Sequence, residues 1–252
     1  MPKAKEAAKR ALELDDTLAQ AHAALAYVST FYDWDWPTAE REFRRALELK
    51  PDYATARQWY AEYLAARGRT EEALAEIQRA RDDDPRELIT HTHVAEVFYL
   101  ARQYDRVVEQ CRRTLEFDPN FFLARFHLGR AYLEKGMYAE AIAEFERART
   151  LSGGAPAMVM ALGYAHARAG HAVEARRALA ELQRLAAGRY VPALYFAALY
   201  TGLGDTSQAL TWLNRAYQER SDYLVYLKVE PMADPLRAHP QFQQLLRRIG
   251  LS

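Results

Sequence analysis

Small and large apolar residues alternate along this chain at helical spacing. Ala39, Phe43 and Ala46 stand at i, i+4 and i+7, on one face of a helix. The same pattern returns as Ala73, Ile77 and Ala80, then as Val107, Cys111 and Thr114, and as Ala141, Phe145 and Ala148. It continues through Ala175, Leu179 and Leu182 to Ala209, Leu213 and Ala216. Each set begins 34 residues after the last, which predicts six copies of one helical unit. A second series of small residues, Ala61, Ala95, Gly129, Gly163 and Ala197, precedes the later sets by 12 positions; Ala26 precedes the first by 13. These residues mark an antiparallel partner helix, and the first hairpin loop carries one extra residue. Helices approach to about 8 Å only where the facing side chains are small, so alanine and glycine mark the crossings. Gly68, Gly136, Gly170 and Gly204 fall between the paired helices, where a residue tolerant of positive φ ends the first. Pro51, Pro85 and Pro119 each end a second helix, because proline lacks the N–H that a continuing helix needs.

The pattern predicts an all-α chain in three parts. Residues 1–18 form an N-terminal half repeat, hairpins follow at 19–53, 54–87, 88–121, 122–155, 156–189 and 190–223, and residues 224–252 form a C-terminal cap. A stack of repeats must cover its two apolar ends. At the start, Ala7, Ala8, Ala11, Leu12 and Leu14 supply an apolar helix face. At the finish, Pro240 opens a helix with Phe242, Leu245, Leu246 and Ile249 at i, i+3, i+4 and i+7, and Gly250 stops it. The aromatic, proline-punctuated stretch SDYLVYLKVEPMADPLRA before it is expected to fold back over the last hairpin. MPKAKEAAKRALELDD reads as the second helix of a hairpin lacking its first, as in a fragment of a longer protein.

The stretch FHLGRAYLEKGMYAEAIAEFERA (126–148) carries the small, aromatic and turn positions of one family throughout, and the chain resembles a tetratricopeptide repeat protein over residues 19–223. Gly153, Ala187 and Ser221 replace the final proline in three repeats, and the tryptophan common early in the first helix is absent. The resemblance implies a right-handed superhelical solenoid with the first helix of each hairpin lining the concave surface. FYDWDW (31–36) and the C-terminal YLVYLKVEP and DPLRAHPQF features also resemble helical-repeat regions attached to bacterial signalling proteins, such as winged-helix regulators, cyclases or serine/threonine kinases. That likeness implies a docking arm of a larger regulatory protein, with a possible attached domain.

With the core stripe on repeat positions 4, 7, 8 and 11, the adjoining stripe is 2, 5, 9 and 12. On that stripe Glu62 and Glu96 form an acidic patch, and Tyr99, Phe126, Leu133, Met160, Tyr164 and Leu194 form an apolar trough around Arg130. Aromatic, methionine and arginine side chains on an exposed face are favoured interface anchors. The expected partner is a protein or peptide segment, apolar in character or basic near the two glutamates. The same residues could instead pack on neighbouring helices, or a terminal segment could cover them. A spacer or self-association segment is the alternative role. Relatives that clamp acidic C-termini use lysine and asparagine on these stripes, whereas asparagine occurs here only at Asn120 and Asn214.

Composition narrows the choice further. Lysine plus arginine and aspartate plus glutamate both total 34, so no net field draws the chain to nucleic acid or an anionic membrane. No apolar run approaches the roughly 20 residues of a membrane helix, and the start has no signal-peptide core. The lone Cys111 fits a reducing, cytoplasmic setting. His91 and His93 point about 200° apart on a helix and cannot share a metal. His127, His166 and His171 read as ordinary histidines. Asp82, Asp83 and Asp84 lack the glycine and distal glutamate of a calcium loop and read as a solvated turn. No nucleophile elbow, phosphate-cradling loop or dinucleotide fingerprint is present, so no catalytic residue, cofactor or metal is expected. Trp36 is expected to pack in the core, while Trp34 is expected to be more open.

Overall fold

A computed structural model describes residues 1–83 and 87–251. Among them regular structure is helical throughout, with no strand. Helix α1 (Pro2–Leu14) packs on the first of six hairpins: α2 (Ala19–Val28) with α3 (Trp36–Leu49), α4 (Ala54–Ala66) with α5 (Thr70–Asp83), and α6 (Leu88–Leu100) with α7 (Tyr104–Phe117). The remaining three are α8 (Phe122–Glu134) with α9 (Tyr138–Leu151), α10 (Pro156–Arg168) with α11 (Ala172–Gly188), and α12 (Ala193–Gly202) with α13 (Thr206–Gln218). Helices α2, α4, α6, α8, α10 and α12 touch in succession and form the inner layer of a solenoid. Asp84 and Pro85, read from the sequence as the end of an acidic turn and a helix stop, lie outside the described residues.

The small positions stand where the helices are closest. A Cβ at Gly163 would fall 2.5 Å from the Ala178 Cβ and 2.6 Å from Leu199, and one at Gly129 would fall 2.7 Å from the Phe145 ring. The extra residue of the first hairpin is absorbed by a π-helical turn, Ser29–Asp33, which ends at Trp34 in the left-handed region with φ of 59°. Trp34 is not open. It is buried, stacked on Tyr217 with ring centroids 5.1 Å apart and covered by Arg220 at 4.3 Å. Packing between the first and last hairpins hides it.

The C-terminal segment also departs from expectation. After α13 the chain forms two 3₁₀ turns, Asp222–Tyr226 and Pro231–Leu236, and then α14 (Pro240–Arg248). This segment does more than cover the last hairpin, because it runs through the concave face and reaches the first three repeats. Tyr226 meets the Phe31 ring at 6.3 Å, Arg102 forms a two-pronged ion pair with Asp234, and Trp36 Nε1 donates to the Ile249 carbonyl at 2.7 Å. Arg67 donates to the Gly250 carbonyl at 2.7 Å. One apolar cluster therefore runs from Ala26 and Phe31 through Tyr63 and Tyr99 to Leu246 and Leu251. The physical cause lies in the segment's own pattern: Leu224, Val225, Tyr226, Leu227, Ala233 and Leu236 need burial, and the concave face is the nearest apolar surface large enough to supply it.

Candidate functional site

The concave face divides into a charged centre and an apolar recess. At the centre, Arg130 of α8 donates through one terminal nitrogen to Glu96 of α6 and through the other, at 2.9 Å, to Glu230 of the strap, the stretch 222–237 that holds the two 3₁₀ turns. Its guanidinium lies 3.6 Å over the Tyr99 ring and 5.4 Å from that of Phe126. Glu230 also accepts from the Tyr99 hydroxyl at 3.0 Å and from the Met232 backbone N–H at 3.2 Å. His127 Nδ1 is 3.2 Å from Glu96. Burial alone would raise the Glu96 pKa, but Arg130 and His127 outweigh it and hold the carboxyl down to about 2. Burial lowers the His127 pKa, against the pull of Glu96. One repeat earlier, Glu62 pairs with His93 at 2.6 Å; burial lowers the His93 pKa, and this bond more than reverses the effect.

The inner stripe named from the sequence thus separates into two sets. Tyr99, Leu133 and Tyr164 are fully buried, and Tyr99 is already engaged by Arg130 and Glu230. Glu62 and Glu96 are 7% and 6% exposed and already paired, so they form no open acidic patch for a basic partner. Arg130 of the next repeat and Glu230 of the strap cover Tyr99. The strap covers much of the remainder.

Phe126, Arg130, Met160 and Leu194 do come together. They line a recess of about 310 Å³ bounded by α8, α10, α12 and the strap. Its walls also carry Leu123, Met158, Tyr195, Tyr223, Leu227 and Met232, which the inner-stripe reading did not name. Leu123 occupies position 2 of its repeat and was within reach of that reading. The strap residues were not, because nothing in their spacing says which surface they cover. Tyr223 remains 47% exposed at this recess. Nearly all the lining is apolar, and its two charged members, Arg130 and Glu230, already bond to each other. The recess can take up apolar groups. Among the described residues no group of three or more histidine, cysteine or acidic side chains is arranged to hold a metal, and no helix is long and apolar enough to cross a membrane.

Repeated hairpins with glycine or alanine at each crossing and an inner layer made by alternate helices define the architecture. Models of the tetratricopeptide repeat match residues 35–90, 111–143 and 128–190, together more than half of the chain. The chain belongs to the tetratricopeptide repeat family. Human tetratricopeptide repeat protein 13 is 26% identical over 107 residues, covering 42% of this chain and 12% of the human protein. This tetratricopeptide chain therefore aligns with only a small part of that relative. Among solved structures, PilW, a widely conserved type IV pilus biogenesis factor, is 22% identical with a TM-score of 0.61 over 72% of this chain and 84% of its own. A tetratricopeptide repeat protein from Parabacteroides merdae superposes with a TM-score of 0.65 over 91% of each chain at 14% identity. At these identities the likeness is one of fold. The tetratricopeptide fold supports a role as a protein–protein interaction module, and proteins built this way are generally scaffolds.

Proposed function

We propose that this protein captures an apolar segment of a partner polypeptide at the concave recess between α8, α10, α12 and the strap. The observation that carries this reading is the recess itself: about 310 Å³ of apolar-lined space beside a half-exposed tyrosine, in a fold whose charged inner residues are otherwise paired internally. Buried pockets of this kind serve interface anchors, since one aromatic or aliphatic side chain seated in them removes apolar surface from water on both partners. A basic ligand at Glu62 and Glu96 is no longer part of the reading, because both carboxylates are engaged. The module is read as the docking arm of a larger, cytoplasmic regulatory protein, the setting that FYDWDW and the C-terminal features resemble.

Selection of random peptides against the full chain tests the proposal. Enriched sequences should carry a large apolar anchor. Leu194→Asp and Phe126→Asp, each at a partly exposed position, should weaken their binding at least tenfold while far-UV circular dichroism is unchanged. Binders indifferent to both substitutions would remove the recess as the site. Dimerisation with rising concentration in sedimentation, without any peptide, would favour the self-association role instead.

A further inference from the structure

The strap occupies the concave face as a docked peptide would, yet it fits imperfectly. Its 3₁₀ turns are short, and Pro231 and Pro235 deny it a continuous hydrogen-bonded helix. Leu227 and Leu236 are buried, but Tyr223 and Met232 border the recess and stay partly exposed, so part of the strap's apolar surface lacks the dispersion contacts that close packing would supply. Polar latches hold it, two of them at its acidic residues. Glu230 sits on Arg130 and Tyr99, and Asp234 takes both terminal nitrogens of Arg102 at 2.7 and 2.8 Å. Arg102 stands where four other hairpins carry Gly68, Gly136, Gly170 and Gly204, and it adopts the same left-handed backbone, with φ of 59°. That conformation is costly for a side-chain-bearing residue, and here it coincides with a contact to the strap.

We propose that the strap is a displaceable internal ligand, and that the partner of the concave face is an acidic and apolar segment of the same pattern, a glutamate on Arg130 with apolar residues flanking it. This deepens the docking role proposed above and rests on it. The chemistry of the occupant is taken from the segment seated there: Glu230 flanked by Leu227 three positions before, and by Met232 and Leu236 after. A partner segment that also fills the recess would gain contacts that the strap forgoes. Tethering gives the strap an effective concentration in the range of about 1 mM, so a partner in trans binds weakly until the latches loosen.

The test uses the full chain and a fluorescein-labelled peptide reproducing residues 222–237. The double variant Glu230→Ala/Asp234→Ala should show faster amide exchange across 222–236 while α6 and α8 stay protected, and should bind the peptide at least tenfold more tightly than the unaltered chain does. The same peptide carrying Glu230→Ala should lose at least tenfold. Glu230→Gln, which keeps the side-chain shape, should show the same trend in smaller degree and serves if the double variant does not fold. A variant whose strap exchanges faster yet binds no peptide, or one whose strap exchanges no faster, would overturn the internal-ligand proposal. Neither result would touch peptide capture that depends on Leu194, so the two readings fail separately.

Discussion

Glu96 is only 6% exposed, on the inner face of a helix whose neighbours are largely apolar. A buried carboxylate persists only with a partner, and Arg130 with His127 supplies the compensation. Its folded-state pKa of about 2 lies below the unfolded value, so its ionisation stabilises the fold at neutral pH. That contribution is lost as pH falls from the ordinary glutamate range towards 2. Between pH 6 and pH 3 the unaltered chain should lose roughly 2 kcal/mol more stability than Glu96→Gln in urea titrations. Neighbouring positions carry different consequences. Tyr164→Asp places a charge in a fully buried site and should cost about 3–5 kcal/mol or abolish folding, whereas Leu194→Asp should leave the melting temperature within a few degrees. Thermal denaturation separates the two. The residue types of the inner face were legible in the sequence; their pairing was not, because ion pairs 34 and 100 residues apart depend on how the repeats stack.

At the scale of the element, the repeat works because paired helices meet at residues with little or no side chain. Gly163 is pressed by Ala178 of α11 and Leu199 of α12 at once, so one glycine admits two neighbouring helices. Gly163→Ala should destabilise by about 1–3 kcal/mol, although alanine is the better helix former by roughly 0.8–1.0 kcal/mol. Calorimetry should record a fall of about 2–4 °C per kcal/mol for a chain of this size. A melting temperature that rose instead would mean that the helices part freely at this crossing. These close approaches were readable from spacing alone, and so was the extra residue that became the π-helical turn at Ser29–Asp33. The strap was not readable in this way, since two 3₁₀ turns broken by prolines carry no sustained period from which a buried face can be assigned.

A solenoid ordinarily couples each repeat only to its neighbours. Here the C-terminal segment reaches the first two hairpins through Trp36 and the Ile249 carbonyl and through Arg67 and the Gly250 carbonyl, and Arg220 of the last hairpin donates to the Tyr32 carbonyl of the first. The terminal repeats thus share one core, and the molecule should lose them together. Trp36→Phe removes one buried hydrogen bond, worth about 1 kcal/mol, and leaves the Ile249 carbonyl short of its donor. Native-state hydrogen exchange should then quicken in α14 and in α2–α3 while α8 and α9 keep their protection. Exchange that quickened in α14 alone would show that the two ends are not coupled.

The repeat and its close crossings were determined by local spacing, because a period of 34 residues and the demand for small residues between paired helices are properties of neighbouring chain. Two of the inner-face assignments, Phe126 and Leu194, keep their partly exposed place at the recess. What the tertiary structure alone decided is the destination of the strap, and with it the burial of Trp34, the pairing of Glu230 with Arg130 and the shape of the recess. Those depend on the curvature accumulated over the whole stack, which brings residues 31 and 226 within reach of each other, and no local pattern encodes that sum.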